Sequence, residues 1–188
     1  MVPIVVDKHN VGRIAERTVA NELESRGFRV SDLNKEGISA NADLIAARNG
    51  RTWQIQVKGA TYDHTCENGW WINYGFCDDA ILEGTKGMFN RVSGFYKAEV
   101  VVLVCVKTLT CYKCVVFPLR VATDAAELNL KSEYRTLKRD GSPKRAGRVY
   151  ASLGYTPKAL DASKMPLREA EQRLLSQYLE RWDLEEMS

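Results

Sequence analysis

The run Glu99-Val100-Val101-Val102-Leu103-Val104-Cys105-Val106 constrains this chain more than any other stretch. It is almost continuously β-branched, and successive side chains of a strand point to opposite faces, so such a strand is buried on both sides. The sheet centre is therefore expected there. Tyr112 to Phe117 follows across a short turn as its hairpin partner, and Pro118 ends it. Ahead of the run, Val11 to Ser25 places Val11, Ile14, Ala15, Val19 and Leu23 at helical spacing, with Gly27 where a helix stop is expected. At the far end, Leu167 to Leu184 reads as a closing helix whose apolar stripe is Leu167, Ala170, Leu174, Leu175, Tyr178, Leu179 and Trp182, a docked core face. Ala122 to Leu128 reads as a short helix, and Gly59 to Ala98 is weakly patterned apart from a strand over Trp70 to Tyr74. The fold expected is α/β: a mixed four- or five-stranded sheet flanked by the first and last helices.

At 188 residues, 45% hydrophobic and 27% charged, the chain suits one globular domain over residues 1–188, and its longest apolar run has strand length, so no membrane span is expected. Five cysteines and no leader-like segment imply a reducing cytoplasm. Cys111-Tyr112-Lys113-Cys114 is a lone CxxC; free core or hairpin cysteines fit it better than a redox pair or a zinc site completed from His64, Cys66 and Cys77. The net charge of +3 predicts no anionic partner by itself, but its distribution is uneven. Lys131, Arg135, Lys138, Arg139, Lys144, Arg145 and Arg148 face only Glu133 and Asp140 in the same stretch, with Gly141, Pro143 and Gly147 among them. This reads either as an exposed phosphate-binding loop or as a solvated one.

Polar residues inside apolar elements carry the chemistry. Phe28-Arg29-Val30 alternates into a strand, a loop runs from Asn34 to Asn41, and Ala42 to Ala47 forms a second strand joined through Asn49-Gly50 to a third over Thr52 to Lys58. Period-2 geometry sends Trp53, Ile55 and Val57 one way and Gln54, Gln56 and Lys58 the other. Asp43 stands where both strand propensity and charge burial disfavour it, so something must compensate it. Glu16 lies at the edge of the first helix's stripe, and Asp43, Gln56, Lys58 and Glu16 can converge where helix crosses hairpin. Carboxylates that hold a hard divalent cation, beside a lysine that stabilises a developing charge, suit phosphodiester hydrolysis. The plainer alternative is an Asp43–Lys58 salt bridge with Glu16 solvated.

The order Gly12-x-x-Ala15-Glu16, Gly27-Phe28-x-Val30, Ala42-Asp43-Leu44-Ile45, Asn49-Gly50 and Ile55-Gln56-Val57-Lys58-Gly59 resembles the PD-(D/E)xK nuclease superfamily, and Glu99 to Val104 with Val115 to Pro118 looks like later core strands of its group-I-intron-type and Holliday-junction-resolvase-like members. The match covers a core of about residues 11–119; the basic loop and helix of 120–188 lie beyond it. The resemblance implies a restriction-endonuclease-like core and a Mg²⁺-dependent endodeoxyribonuclease, with Mn²⁺ as a substitute. Asp43, Glu16 and the Val57 carbonyl would hold metal, Gln56 would complete the site, Lys58 would position the attacking hydroxide, and Gln54 would stand behind them. Ala42 replaces the naming proline, which is chemically silent. Gln56 replaces the usual glutamate, as in similar Mrr-type enzymes, and weakens one metal ligand, so a catalytically weak or inactive nucleic-acid-binding module is the alternative. A structural or protein-interaction subunit is a third reading. Cutting both strands of a duplex with one site per chain calls for a homodimer or symmetric tetramer.

Overall fold

A computed structural model describes residues 10–34, 42–61, 71–77, 92–93, 98–108, 111–122, 124–125, 128, 149–152 and 165–187. The expected basic loop, His64 and Cys66 lie outside them. Helix α1 (Val11–Ser25) leads through Gly27, at φ +82, into β1 (Arg29–Asp32), followed by β2 (Leu44–Arg48), β3 (Arg51–Thr61), β6 (Val100–Thr108) and β7 (Cys111–Pro118) of one sheet. Their order is β1-β2-β3-β6-β7, with β3 and β6 parallel and the other neighbours antiparallel. The chain is thus α/β, with a mixed five-stranded sheet flanked by helices. Between and after these elements, β4 (Trp71–Cys77), β5 (Val92–Ser93) and β8 (Val149–Ser152) make a second sheet ordered β5-β4-β8, in which β4 answers to the strand expected over Trp70 to Tyr74 while β5 and β8 were not expected.

β6 is buried on both faces, as its composition requires. Val100, Val102, Val104 and Val106 join α1 residues Val11, Ala15, Val19 and Leu23 in one cluster with Leu44, Ala46, Trp53, Ile55 and Val57. The alternate residues Val101, Leu103 and Cys105 are equally enclosed on the other face. β3, rather than β6, is the middle strand. Cys105 and Cys114 are free and buried, and burial pushes the Cys114 thiol well above its usual range.

The end of the chain departs from the helical expectation. Helix α2 (Met165–Ser176) stops eight residues before Leu184. Beyond it, Val116 N–H donates to the Tyr178 carbonyl at 3.0 Å, Glu180 N–H donates to the Cys114 carbonyl at 2.8 Å, and Val115 bridges Leu179. The open edge of β7 needs hydrogen-bond partners, and residues 178–180 supply them only by leaving the helix. Trp182, Leu184 and Met187 then enter the α1-side core, the last two from a short 3₁₀ helix over Leu184–Met187, whereas Leu179 is 44% exposed. The helix expected over Ala122 to Leu128 is present at its described residues 122, 124, 125 and 128, and begins earlier, at residue 119 directly after β7. Among the described residues no helix is long and apolar enough to cross a membrane.

Candidate active site

A two-residue turn sets the register on which the site depends. Asn49 and Gly50 both have positive φ, +53 and +76, the pairing that matches the twist of a hairpin. The closing pair is Arg48 with Arg51, and counting outward gives Leu44 opposite Ile55, where β2 begins, so that Asp43 stands just ahead of the strand and not within it as expected over Ala42 to Ala47. A one-residue slip would send Gln56 and Lys58 to the other face of the sheet. Asp43 is fixed through its backbone as well: its N–H donates to the Ile55 carbonyl at 2.8 Å, and its carbonyl accepts from Leu33 N–H at 3.0 Å.

The Asp43 carboxylate is compensated from within β3. Oδ2 accepts from the Gln56 amide Nε2 and, at 2.7 Å, from the Val57 N–H. Oδ1 accepts a long hydrogen bond, 3.5 Å, from Asn34 Nδ2. Gln56 is buried to 4% exposure, so its amide needs this partner as much as Asp43 does. The plainer alternative from the sequence fails on both counts: no Asp43–Lys58 ion pair forms among the described residues, and Glu16 is half-buried.

Glu16 reaches this group because α1 lies unusually close to β3. A Cβ on Gly59 would stand 2.7 Å from Ala15 Cβ and 3.0 Å from the Val11 carbonyl oxygen, so only glycine admits the helix at that point. Ala15 seats on Gly59, and Glu16 is its neighbour. Burial first, and then the negative charge of Asp43, raise the Glu16 carboxyl above the usual glutamate range; Asp32 adds to this, while a hydrogen bond from Asn34 and the charge of Lys58 oppose it. Lys58 is half-buried, two residues beyond Gln56 on the same face.

The structure therefore brings Glu16, Asp43, Gln56 and Lys58 together, with Val57 contributing its N–H to Asp43. Gln54 shares their face but is exposed, and its backbone N–H donates to Glu99 Oε2 at 3.1 Å. Two participants went unread in the sequence. Asn34 links Asp43 to Glu16, and its own N–H donates to Asp32 Oδ1 at 3.1 Å. The signal for them is the Asp32-Leu33-Asn34 turn chemistry, since an Asp accepting from the backbone two residues on is a common way to leave a strand.

Two coupled carboxylates and an amide are hard donors of the kind Mg²⁺ takes, and their mutual repulsion is what a cation relieves. Turning the Gln56 amide over would present Oε1 in place of Nε2. Among the described residues no group of three His, Cys, Asp or Glu side chains is placed to hold a metal ion, so the donor set fits only with the amide or backbone carbonyls included. Beside the site, a groove of about 850 Å³ runs between α1 and β1, lined in part by Arg13, Glu16, Arg17 and Asp32.

No protein-family model matches the chain, and no curated protein matches it. Among solved structures it is similar to a bacterial homing endonuclease, I-Ssp6803I, with 16% sequence identity and a TM-score of 0.46 over 98% of this chain and 100% of that one.

Proposed function

We propose that this chain is a metal-dependent endonuclease that hydrolyses DNA phosphodiester bonds. One observation carries the reading: the Asp43 carboxylate is held by Gln56 and the Val57 N–H, next to Lys58 on β3, with Glu16 brought up towards it by the close packing of α1 on Gly59. Asp43 and Glu16, with Gln56 Oε1 and the Val57 carbonyl, would hold Mg²⁺ or Mn²⁺, which when bound polarises a phosphate and acidifies its water. The remaining work falls to the chain itself. The Lys58 ammonium orients the attacking hydroxide and opposes the charge that builds on the phosphate oxygens. Asn34 keeps the two carboxylates in register, and Gln54 lies further along the same face. The segment Lys131 to Arg148 would supply further phosphate contacts, and a homodimer or symmetric tetramer would serve the two strands of a duplex.

A second reading has its own support. Gln56 Nε2 satisfies Asp43 without any cation, which is how a DNA-binding module with a silent site would keep its fold. The two separate in a cleavage assay on plasmid, junction and single-stranded DNA with Mg²⁺ or Mn²⁺. We expect nicking that is lost in Asp43→Asn, and a Lys58→Ala variant whose turnover falls far more than its DNA affinity. DNA binding without cleavage under any of these metals would favour the silent module, and full activity in Asp43→Asn would remove Asp43 from the site.

A further inference from the structure

The groove beside Glu16 contains two cations that the fold does not explain. Arg13 and Arg17 are both exposed, one helical turn apart on α1, and both line the groove. Among the described residues neither has a carboxylate partner, whereas Arg26, Arg48 and Arg181 are paired with Glu22, Glu185 and Glu186. Their placement is locally unfavourable in two respects. Like charges at i, i+4 repel along a helix, and a cation in the first turn, where α1 has no acidic residue, opposes the helix dipole. Local rules broken without a compensating contact within the fold mark positions kept for a partner.

We infer that Arg13 and Arg17 bind consecutive backbone phosphates of the DNA strand that passes Glu16 into the site. This rests on the nuclease reading above and adds to it the path of the strand. The groove is continuous with the site because Glu16 belongs to both. Its other carboxylates do not block that path: Asp32 belongs to the Glu16 group, and Glu24 lies seven residues beyond Arg17, roughly 10 Å along the helix. A guanidinium suits the role because its planar fork takes two phosphate oxygens at once.

The test is equilibrium binding of a fluorescein-labelled duplex of mixed sequence, followed by anisotropy over a salt series in metal-free buffer, so that cleavage plays no part. Arg13→Gln with Arg17→Gln should weaken binding about tenfold at low salt and shallow the slope of log affinity against log salt by roughly 1.8, two contacts at about 0.9 each. Arg13→Lys with Arg17→Lys should keep the slope, since the charge remains. Arg173→Gln, an exposed change on α2, should leave both quantities alone. If the unaltered chain binds duplex DNA and the Gln pair matches it in affinity and slope, the inference is overturned while the nuclease reading stands. If the unaltered chain binds no DNA even at low salt, the nuclease reading fails and the inference with it.

Discussion

Gln56 bears most on how the site is balanced, because it is nearly fully buried and its amide donates to Asp43. In Gln56→Glu a second carboxylate faces Asp43 where an N–H now stands. Burial and like charge both raise the new carboxyl's pKa in the folded state, so its contribution to stability is retained in acid and lost as pH rises through that value. The metal-free variant should therefore lose stability against the parent as pH climbs from about 4 to about 8. Mg²⁺ should restore it, by about 2.7 kcal/mol at a hundredfold excess over Kd, and the parent should gain less. Urea midpoints with and without Mg²⁺ read both effects, and an equal response to Mg²⁺ in the two proteins would place Gln56 away from the cation. At this scale the sequence exposed Asp43, Gln56 and Lys58 because strand period and turn chemistry are local rules. Asn34 and Asp32 stayed hidden because they act on Glu16 and Asp43 across a loop.

Elements meet in this fold at two contacts that can be tested separately. Gly59 sets the distance between α1 and β3, and Gly59→Ala introduces a Cβ 2.7 Å from Ala15 Cβ. Backbone or a packed neighbour must shift, at a cost of about 1–3 kcal/mol, and Glu16 shifts with the helix. We expect a lower denaturation midpoint together with a loss of activity larger than that midpoint explains. At the other end of α1, Tyr112 of β7 donates its hydroxyl to Glu22, which also pairs with Arg26. The hydrogen bond lowers the Glu22 carboxyl and raises the Tyr112 phenol to about 12. The Glu22 contribution is full above the ordinary carboxyl pKa and fades as pH falls through the depressed value; the Tyr112 contribution is full below the ordinary phenol pKa and fades as pH rises towards 12. Tyr112→Phe should thus destabilise at neutral pH and converge with the parent in strong acid. A gap between the two that widened in acid would contradict the assigned bond. Helix α1 and the β2–β3 and β6–β7 hairpins were legible because each repeats one period between clear stops. Of the second sheet only β4 was, since β5 and β8 are separated from it by long stretches and pair without a local pattern.

The whole molecule is closed by its last residues. After α2 the chain runs along the β7 edge and turns into the α1-side core, where the Arg26 guanidinium lies 5.1 Å above the Trp182 ring and Arg48 pairs with Glu185 at 2.7 Å. Glu180 holds the crossing: Oε1 accepts from Cys114 N–H at 2.6 Å and Oε2 from Trp182 Nε1 at 3.3 Å. Helical spacing could not foretell this, because Tyr178, Leu179 and Trp182 continue the α2 stripe while the hydrogen-bond demand of β7 decides their backbone. The two accounts give different consequences for the same residues. On a continuous docked helix, Leu179 and Trp182 would both face the core and both substitutions would be costly. In the observed wrap, Trp182 is 5% exposed and Leu179 is 44% exposed. Trp182→Ala should therefore cost about 3–5 kcal/mol and Leu179→Ser no more than about 0.5 kcal/mol. Removing residues 177–188 should do more than either, because it empties three core positions and also reopens the β7 edge, a template for pairing with another copy. Denaturation of the two point variants and light scattering of the truncated chain measure this; a costly Leu179→Ser or a soluble, monomeric truncation would show that the tail does not close the fold.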